Sequence, residues 1–279
     1  MYFCNINLNK NYENDFNYRS LIRIRKSNRD ILSKQRLHVI ATMRTPEKET
    51  ELTQLDNVSI VALDVTNQQQ IKEVAAKVTS EHSVDVVFNN AGYGLMSSLE
   101  AMSDEQITRQ LDTNLLGVIR VTKAFIPHFR EKKSGMFIAT TSIGGSLAFP
   151  LHSMYQVAKF GVEGWSEAMS FELGMYNIGI KTIGPGAIST DFAGRSLDTS
   201  SHPAYKSIED KLFGIVDSMM DSASTPEAMA ELVYEAATDG KDQVKYIVGP
   251  DAKELYKNRV EMGSEEFRKM IREQFLGEE

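Results

Sequence analysis

Glycine is missing from the first third of this chain: of 279 residues 18 are glycine, and the earliest is Gly92. A stretch without glycine lacks the residue that backbone needs for positive-φ turns and for close approach to a phosphate. Cysteine is nearly absent too. The single one, Cys4, excludes an intrachain disulfide framework and fits a reducing compartment. No apolar run approaches the ~18 residues of a membrane span. No basic stretch followed by an apolar one opens the chain, so no signal peptide is expected. Positive charge is short as well: 31 Lys and Arg face 38 Asp and Glu, a net of −7. That balance argues against nucleic acid as the main partner. These absences lead to the expectation of a soluble, cytoplasmic protein with no membrane partner, large enough for one globular core.

The charge is unevenly spread. Residues 1–37 hold eight Lys and Arg against three Asp and Glu, whereas 38–279 are strongly acidic. The two parts are therefore taken separately, as an aberrant basic N-terminal segment (1–37) and a domain (38–279).

From His38 onward short apolar runs alternate with helical periodicity. Strands are predicted over His38–Thr42, Val58–Leu63, Val84–Phe88, Met136–Thr141, Ile178–Ile183 and Lys245–Val248. Helices are predicted over Asn67–Ser80, Asp104–Lys132, Ser153–Tyr176 and Pro226–Thr238. Short apolar strands alternating with helices imply an α/β fold, a parallel sheet covered on both faces, with ligands at the carboxyl ends of the strands.

The unusual residues collect at those ends. Asp64 closes one strand, where its carboxylate suits either an adenine amino group or a helix N-cap ahead of Asn67. Asn89-Asn90-Ala91-Gly92 closes the next, with small residues that let backbone approach a ligand. Asn114 stands in mid-helix among apolar neighbours, where a side chain facing a site can bend the helix and hold a water. Ser142 leaves the strand ending at Thr141. Pro185-Gly186 follows another strand, with Ile188, Thr190 and Asp191 just beyond. Tyr155 and Lys159 are four apart, so on a helix they project from one face one turn apart. An ammonium beside a phenol favours the phenolate and is expected to draw the Tyr155 pKa down toward neutrality, fitting it for acid/base work. With ten tyrosines in the chain, one Tyr-x-x-x-Lys arises by accident about as often as not. The ordered set at successive strand ends is what gives the pair its weight.

This set resembles the short-chain dehydrogenase/reductase family. Asn-Asn-Ala-Gly at 89–92, Asn114, Ser142, Tyr155-x-x-x-Lys159, and Pro185-Gly186 with Thr190 match the family's pattern over roughly His38 to Gly249. The run from Tyr155 to Glu167, with Phe171-Glu-Leu after it, is most similar to the hydroxysteroid- and retinol-dehydrogenase-like branch. The resemblance implies a single Rossmann-type doubly wound sheet and an NAD(P)-dependent oxidoreductase acting on an alcohol or carbonyl. It implies Tyr155 as general acid/base, and Lys159 as the group that tunes it and holds the nicotinamide ribose. Ser142 would orient the substrate carbonyl, and Asn114 would anchor a proton-relaying water. Along the cofactor it implies Asp64 at the adenine, Asn90, Ala91 and Gly92 beside it, and Pro185, Gly186, Ile188 and Thr190 near the carboxamide. No metal enters this set. Arg44, ending its strand where an Asp or Glu would bond a ribose 2′-hydroxyl, can pair a 2′-phosphate and favours NADP, with NAD open. The same arginine can equally be a solvated loop residue ahead of Pro46. The partner expected is a small or lipid-like alcohol or carbonyl compound, with the apolar stretch at about 193–223 as its lid. A homodimer or homotetramer is the associated assembly. The alternative is a catalytically impaired member serving as a binding module or a pseudogene product.

The family also needs a first strand and a Thr-Gly-x-x-x-Gly-x-Gly turn, and residues 1–37 contain no glycine. The first strand and that turn are thus expected to be missing or disrupted. Read one base out of frame, Tyr12 through Arg29 is compatible with Met-Lys-Thr-Ile-Leu-Ile-Thr-Gly-Ala-Ser-Ser-Gly-Phe-Gly-Lys-Ala-Thr-Ala. Arg19, Arg23 and Arg25 then become the three glycines, and Arg36-Leu37 becomes Gly-Tyr. Two compensating frame changes bounding residues 12–37 account for the pattern. Resequencing the 5′ end of the gene is expected to find them; an unshifted frame there excludes the idea.

Overall fold

A computed structural model describes residues 2–5, 38–189, 196–220 and 223–277. Nine strands are described: β1 (Tyr2–Asn5), β2 (His38–Met43), β3 (Val58–Ala62), β4 (Val86–Asn89), β5 (Gly94–Met96), β6 (Gly135–Thr140), β7 (Ile178–Pro185), β8 (Leu197–Thr199) and β9 (Lys245–Val248). The helices are α1 (Gln68–Glu81), α2 (Asp104–Leu111), α3 (Gly117–Lys132), α4 (Ser153–Gly174), α5 (Lys206–Met220), α6 (Pro226–Thr238), α7 (Pro250–Met262) and α8 (Ser264–Leu276).

Seven strands form one sheet in the order β3-β2-β1-β4-β6-β7-β9, and β5 pairs with β8 in a small second sheet. The architecture is the expected α/β, doubly wound arrangement. Alternation along each strand divides the core in two. Ile40, Val87 and Phe137 point to one face, against Ile71, Val74 and Val78 of α1 and Val121, Phe125 and Phe129 of α3. Their neighbours Val39, Val86, Phe88 and Ile138 point to the other, against Met229, Ala230, Val233 and Ala236 of α6. A third cluster joins Leu212 of α5 to Phe267, Ile271 and Phe275 of α8.

Local signals set the helix starts. Asn67 caps α1 by accepting the Gln70 N–H at 3.0 Å, so the cap is Asn67 and not Asp64. Ser103 and Gln106 form a reciprocal capping box on α2. Thr225 caps α6, with Pro226 in its first turn. Among the described residues no helix is long and apolar enough to cross a membrane.

One strand departs from the parallel plan. β1 lies between β2 and β4 and runs antiparallel to both, Tyr2 opposite Ala41 and Phe88. The slot for a first strand is therefore filled, but with the polarity reversed. A gap there would leave two rows of backbone donors and acceptors unpaired in the middle of the sheet, and a strand of either direction satisfies them. The glycine-rich turn expected to be disrupted falls outside the described residues.

Phe125 is fully buried where α3 meets the sheet. Phe125→Ala is expected to cost about 3–5 kcal/mol of stability in urea unfolding.

Candidate active site

The carboxyl ends of β3, β4, β6 and β7 lie along one edge of the sheet, and α4 delivers Tyr155 and Lys159 to it. Lys159 is 5% exposed. Its ammonium donates to the Thr140 carbonyl at the end of β6, at 2.9 Å. Thr140 in turn donates through its hydroxyl to Asn90 Oδ1 at 2.7 Å, so α4, β6 and the loop after β4 are linked through Thr140. Desolvation pushes the Lys159 pKa from 10.5 down to about 8, with the charge of Glu163 acting in the opposite direction.

Tyr155 departs from expectation in one respect. Burial raises its pKa, and its hydrogen bond with Ser142 only partly offsets this. The Lys159 ammonium lies 5.7 Å from the centre of the Tyr155 ring and is engaged by Thr140. In the chain alone, desolvation of the phenolate thus outweighs the expected pull toward neutrality.

Ser142 stands where β6 ends, with extended backbone, and its hydroxyl accepts the Gly144 N–H at 3.0 Å. That bond fixes the turn Ile143–Gly145 and leaves Ser142 beside Tyr155. A Cβ at Gly144 would touch Ser142 Oγ at 3.4 Å and the Tyr155 ring at 3.5 Å.

The helix predicted over Asp104–Lys132 is interrupted. Between α2 and α3, residues Asp112–Leu116 form a π-helical turn with buried Asn114 inside it. Such bulges are frequent at functional sites. Here the bulge aims Asn114 at the β4 loop, where Oδ1 accepts the Tyr93 N–H at 3.1 Å and Nδ2 donates to the Tyr93 carbonyl at 2.7 Å. Gly92 is pressed into the same place: a Cβ there would lie 3.1 Å from Asn114 Oδ1 and 3.7 Å from Lys159 Nζ. Ala91 packs beside it on the core.

The remaining predicted residues are more dispersed. Asp64 follows β3, and its carboxylate accepts the Thr66 N–H at 2.9 Å and the Thr66 hydroxyl at 2.7 Å. Arg44 is exposed immediately after β2. Pro185 ends β7, the Gly186 N–H donates to the Val248 carbonyl at 3.1 Å, and Ile188 bridges to Ser224. Thr190 lies outside the described residues, as does much of the predicted lid's beginning. From that lid, β8 pairs with β5, and Asp198 is clasped by Arg109 and by Gln106 of α2. Arg109 also stacks on Tyr93 at 5.2 Å.

Three neighbours were not singled out from the sequence. His152 donates from Nδ1 to the Pro150 carbonyl at 2.7 Å, its ring 6.2 Å from that of Tyr155. Burial lowers its pKa, with the Pro150 bond opposing. Asp251 of α7 accepts the Ala187 N–H at 3.0 Å, and a Cβ at Gly186 would clash with its carboxylate. Glu163 sits one turn beyond Lys159. For Glu163 the signal was present, since the four-residue step from Tyr155 to Lys159 repeats once more.

The arrangement gathers a phenol, a hydroxyl hydrogen-bonded to it, a buried cation and a carboxamide. It can exchange a proton at a carbonyl or carbinol oxygen held against Ser142 and Tyr155.

Comparison with known proteins identifies the family. The family profile described as short chain dehydrogenase matches residues 29–201. An uncharacterized oxidoreductase of Schizosaccharomyces pombe is 36% identical over 208 residues, covering 74% of this chain and 88% of the relative. A crystal structure of a short-chain dehydrogenase from Streptomyces avermitilis superposes with a TM-score of 0.73 at 27% identity, covering 80% of this chain and 82% of that one. The closed form of a serine dehydrogenase complexed with NADP+ superposes at 0.64 with 25% identity, covering 78% and 88% respectively.

Because burial depresses Lys159, the folded chain releases that proton at lower pH than the unfolded chain does. Stability therefore rises with pH between about 8 and 10.5, and the destabilisation is complete below that window. Lys159→Met removes this dependence. Relative to wild type, the variant is expected to gain on the order of 2 kcal/mol more at about pH 7.5 than at about pH 10, read by urea unfolding.

Proposed function

The chain belongs to the short-chain dehydrogenase family of NAD(P)-dependent oxidoreductases, and from that premise we propose its reaction: hydride transfer between NADP(H) and a secondary alcohol or carbonyl of a small or lipid-like apolar substrate. The observation that carries this reading is the convergence of Ser142, Tyr155, Asn114 and the buried Lys159 ammonium at one sheet edge. The edge also fits a cofactor. At Gly92 the backbone runs so close to Asn114 and Lys159 that a side chain would fill the passage, as an approach to a bound ring and ribose requires.

The nicotinamide supplies or accepts the hydride when bound. The chain's own residues handle the proton and the geometry. In the reducing direction Ser142 donates a hydrogen bond to the substrate carbonyl and holds it at Tyr155. The Tyr155 hydroxyl, kept protonated by burial, gives its proton to the carbonyl oxygen as negative charge develops there. Lys159 then supports the phenolate, and Asn114 anchors a water through which the proton is restored. Pro185, Gly186, Ile188 and Thr190 are assigned to the carboxamide, Asn90, Ala91 and Gly92 to the ribose side, and Asp64 to the adenine.

Arg44 favours NADP over NAD. It is exposed directly after β2, where a 2′-phosphate would meet a guanidinium, and the serine dehydrogenase above was solved with NADP+. The apolar cluster that joins Ile143, next to Ser142, to Leu212 of α5 suits a weakly polar substrate. We place the protein in the cytoplasm. We also infer a homodimer or homotetramer, in which the exposed Phe160 and Phe171 of α4 would be covered.

A second reading is a family member with an impaired cofactor grip. It draws on the reversed polarity of β1 and on the absence of glycine from residues 6–37. Fluorescence titration with NADPH separates the two: micromolar binding by the chain as written excludes impairment. In the binding-competent protein, Tyr155→Phe is expected to lower kcat by about 10²–10⁴-fold while leaving NADPH binding intact. Full activity in that variant would overturn the mechanism.

A further inference from the structure

Glu163 is 7% exposed, a carboxylate taken almost wholly out of water. Three strands reach it. The Thr141 hydroxyl of the β6 end donates to Oε1 at 2.6 Å, and the Thr182 hydroxyl of β7 donates to Oε2 at 3.0 Å. Lys245, the first residue of β9, brings its ammonium to 3.4 Å from Oε2. That ammonium also donates to Ser146 Oγ at 3.0 Å and lies over the Tyr256 ring at 5.3 Å. Overhead, the turn that follows Ser142 rests directly on α4. A Cβ at Gly145 would be 3.0 Å from the Lys159 carbonyl and 3.1 Å from Glu163 Cγ.

A merely structural account would stop at the hydrogen bonds, which a glutamine could largely reproduce. It leaves the charge unexplained, since an ionised carboxylate is costly to bury and a neutral amide would pin the same strands more cheaply. The charge has a neighbour to act on. Lys159 is one helical turn back on the same face, slightly more buried, and Glu163 is the charge that opposes its loss of the proton.

We propose that Glu163 is a positioning residue for the Tyr155–Lys159 pair: its buried negative charge sustains the Lys159 ammonium, while its bonds to Thr141 and Thr182 seat the Ser142 strand end against the helix carrying Tyr155. The inference rests on the acid/base reading of that pair given above. Among the described residues, the ionisable groups around this pocket are Tyr155, Lys159 and Glu163 from α4, His152 just ahead of α4, Lys245 from β9 and Tyr256 from α7. The π turn contributes the Asn114 amide, β6 the Thr140 carbonyl and Thr141 hydroxyl, and β7 the Thr182 hydroxyl. Paired with Glu163 at 3.4 Å, Lys245 partly neutralises the negative charge that Lys159 feels. The two neighbours therefore push the Lys159 equilibrium in opposite directions.

The test reads Lys159 directly, by carbon NMR of the full-length protein labelled at lysine Cε, with Lys159→Met assigning the resonance. Glu163→Gln is expected to shift the Lys159 midpoint down by about one pH unit, and Lys245→Met to shift it up. In carbonyl reduction with NADPH, the alkaline limb of kcat/KM should move the same way in each variant. A folded Glu163→Gln protein whose Lys159 titrates as in wild type overturns the proposal. So does a Lys245→Met protein whose midpoint stays put or falls, and that variant decides the matter should Glu163→Gln not fold. The NMR midpoint needs no turnover. An inactive wild type would thus count against the hydride-transfer reading without touching this measurement.

Discussion

An ammonium held almost out of water is the constraint around which the rest of this site is arranged. Burying a lysine head group is tolerated only where fixed dipoles and counter-charge replace the lost hydration. The Thr140 carbonyl accepts from it, the Asn114 amide closes the space beside it, and Glu163 supplies negative charge from the next turn. Each comes from a different element. The parallel sheet makes that possible, because strand ends far apart in sequence arrive at one edge with their last carbonyls free to face a ligand or a side chain.

The same edge is coupled to β8. Asn114 holds the backbone of Tyr93, Arg109 lies over the Tyr93 ring, and Arg109 clasps Asp198 on β8. A displacement of β8 would therefore be felt at Asn114 through packed and charged contacts, with no change in the core. The clasp is exposed at Arg109, so it contributes modestly and is screened by salt. The core clusters on either face of the sheet are apolar and carry most of the stability, which leaves the edge free to hold costly polar groups.

Much of this was legible in the sequence. Strands in a sheet covered on both faces read as apolar runs, and six of the main-sheet strands fall within about two residues of where the periodicity put them. The site residues could be ordered because they follow those runs. What escaped has identifiable causes. The π turn at Asp112–Leu116 leaves the apolar face of the helix continuous, so hydrophobic spacing cannot report a change in hydrogen-bond register. β5 and β8 are three residues each, too short for an alternation to appear. The Tyr155 shift depends on where the Lys159 ammonium donates, a distance that spacing along one helix does not fix. Asp64 and Asn67 are both good capping residues, and only the backbone path decided between them.

A strand is a direction as well as a row of hydrogen bonds. Asn5 pairs with His38 at the point where β2 begins, so the chain leaves β1 from the end of the sheet remote from Tyr155 and Lys159. A strand of parallel polarity in that slot would release the chain at the site edge, beside Asn90 and Gly92. The ladder is satisfied by either polarity, but the connectivity differs: Asn5, the last residue of β1, lies a full strand length from the site edge.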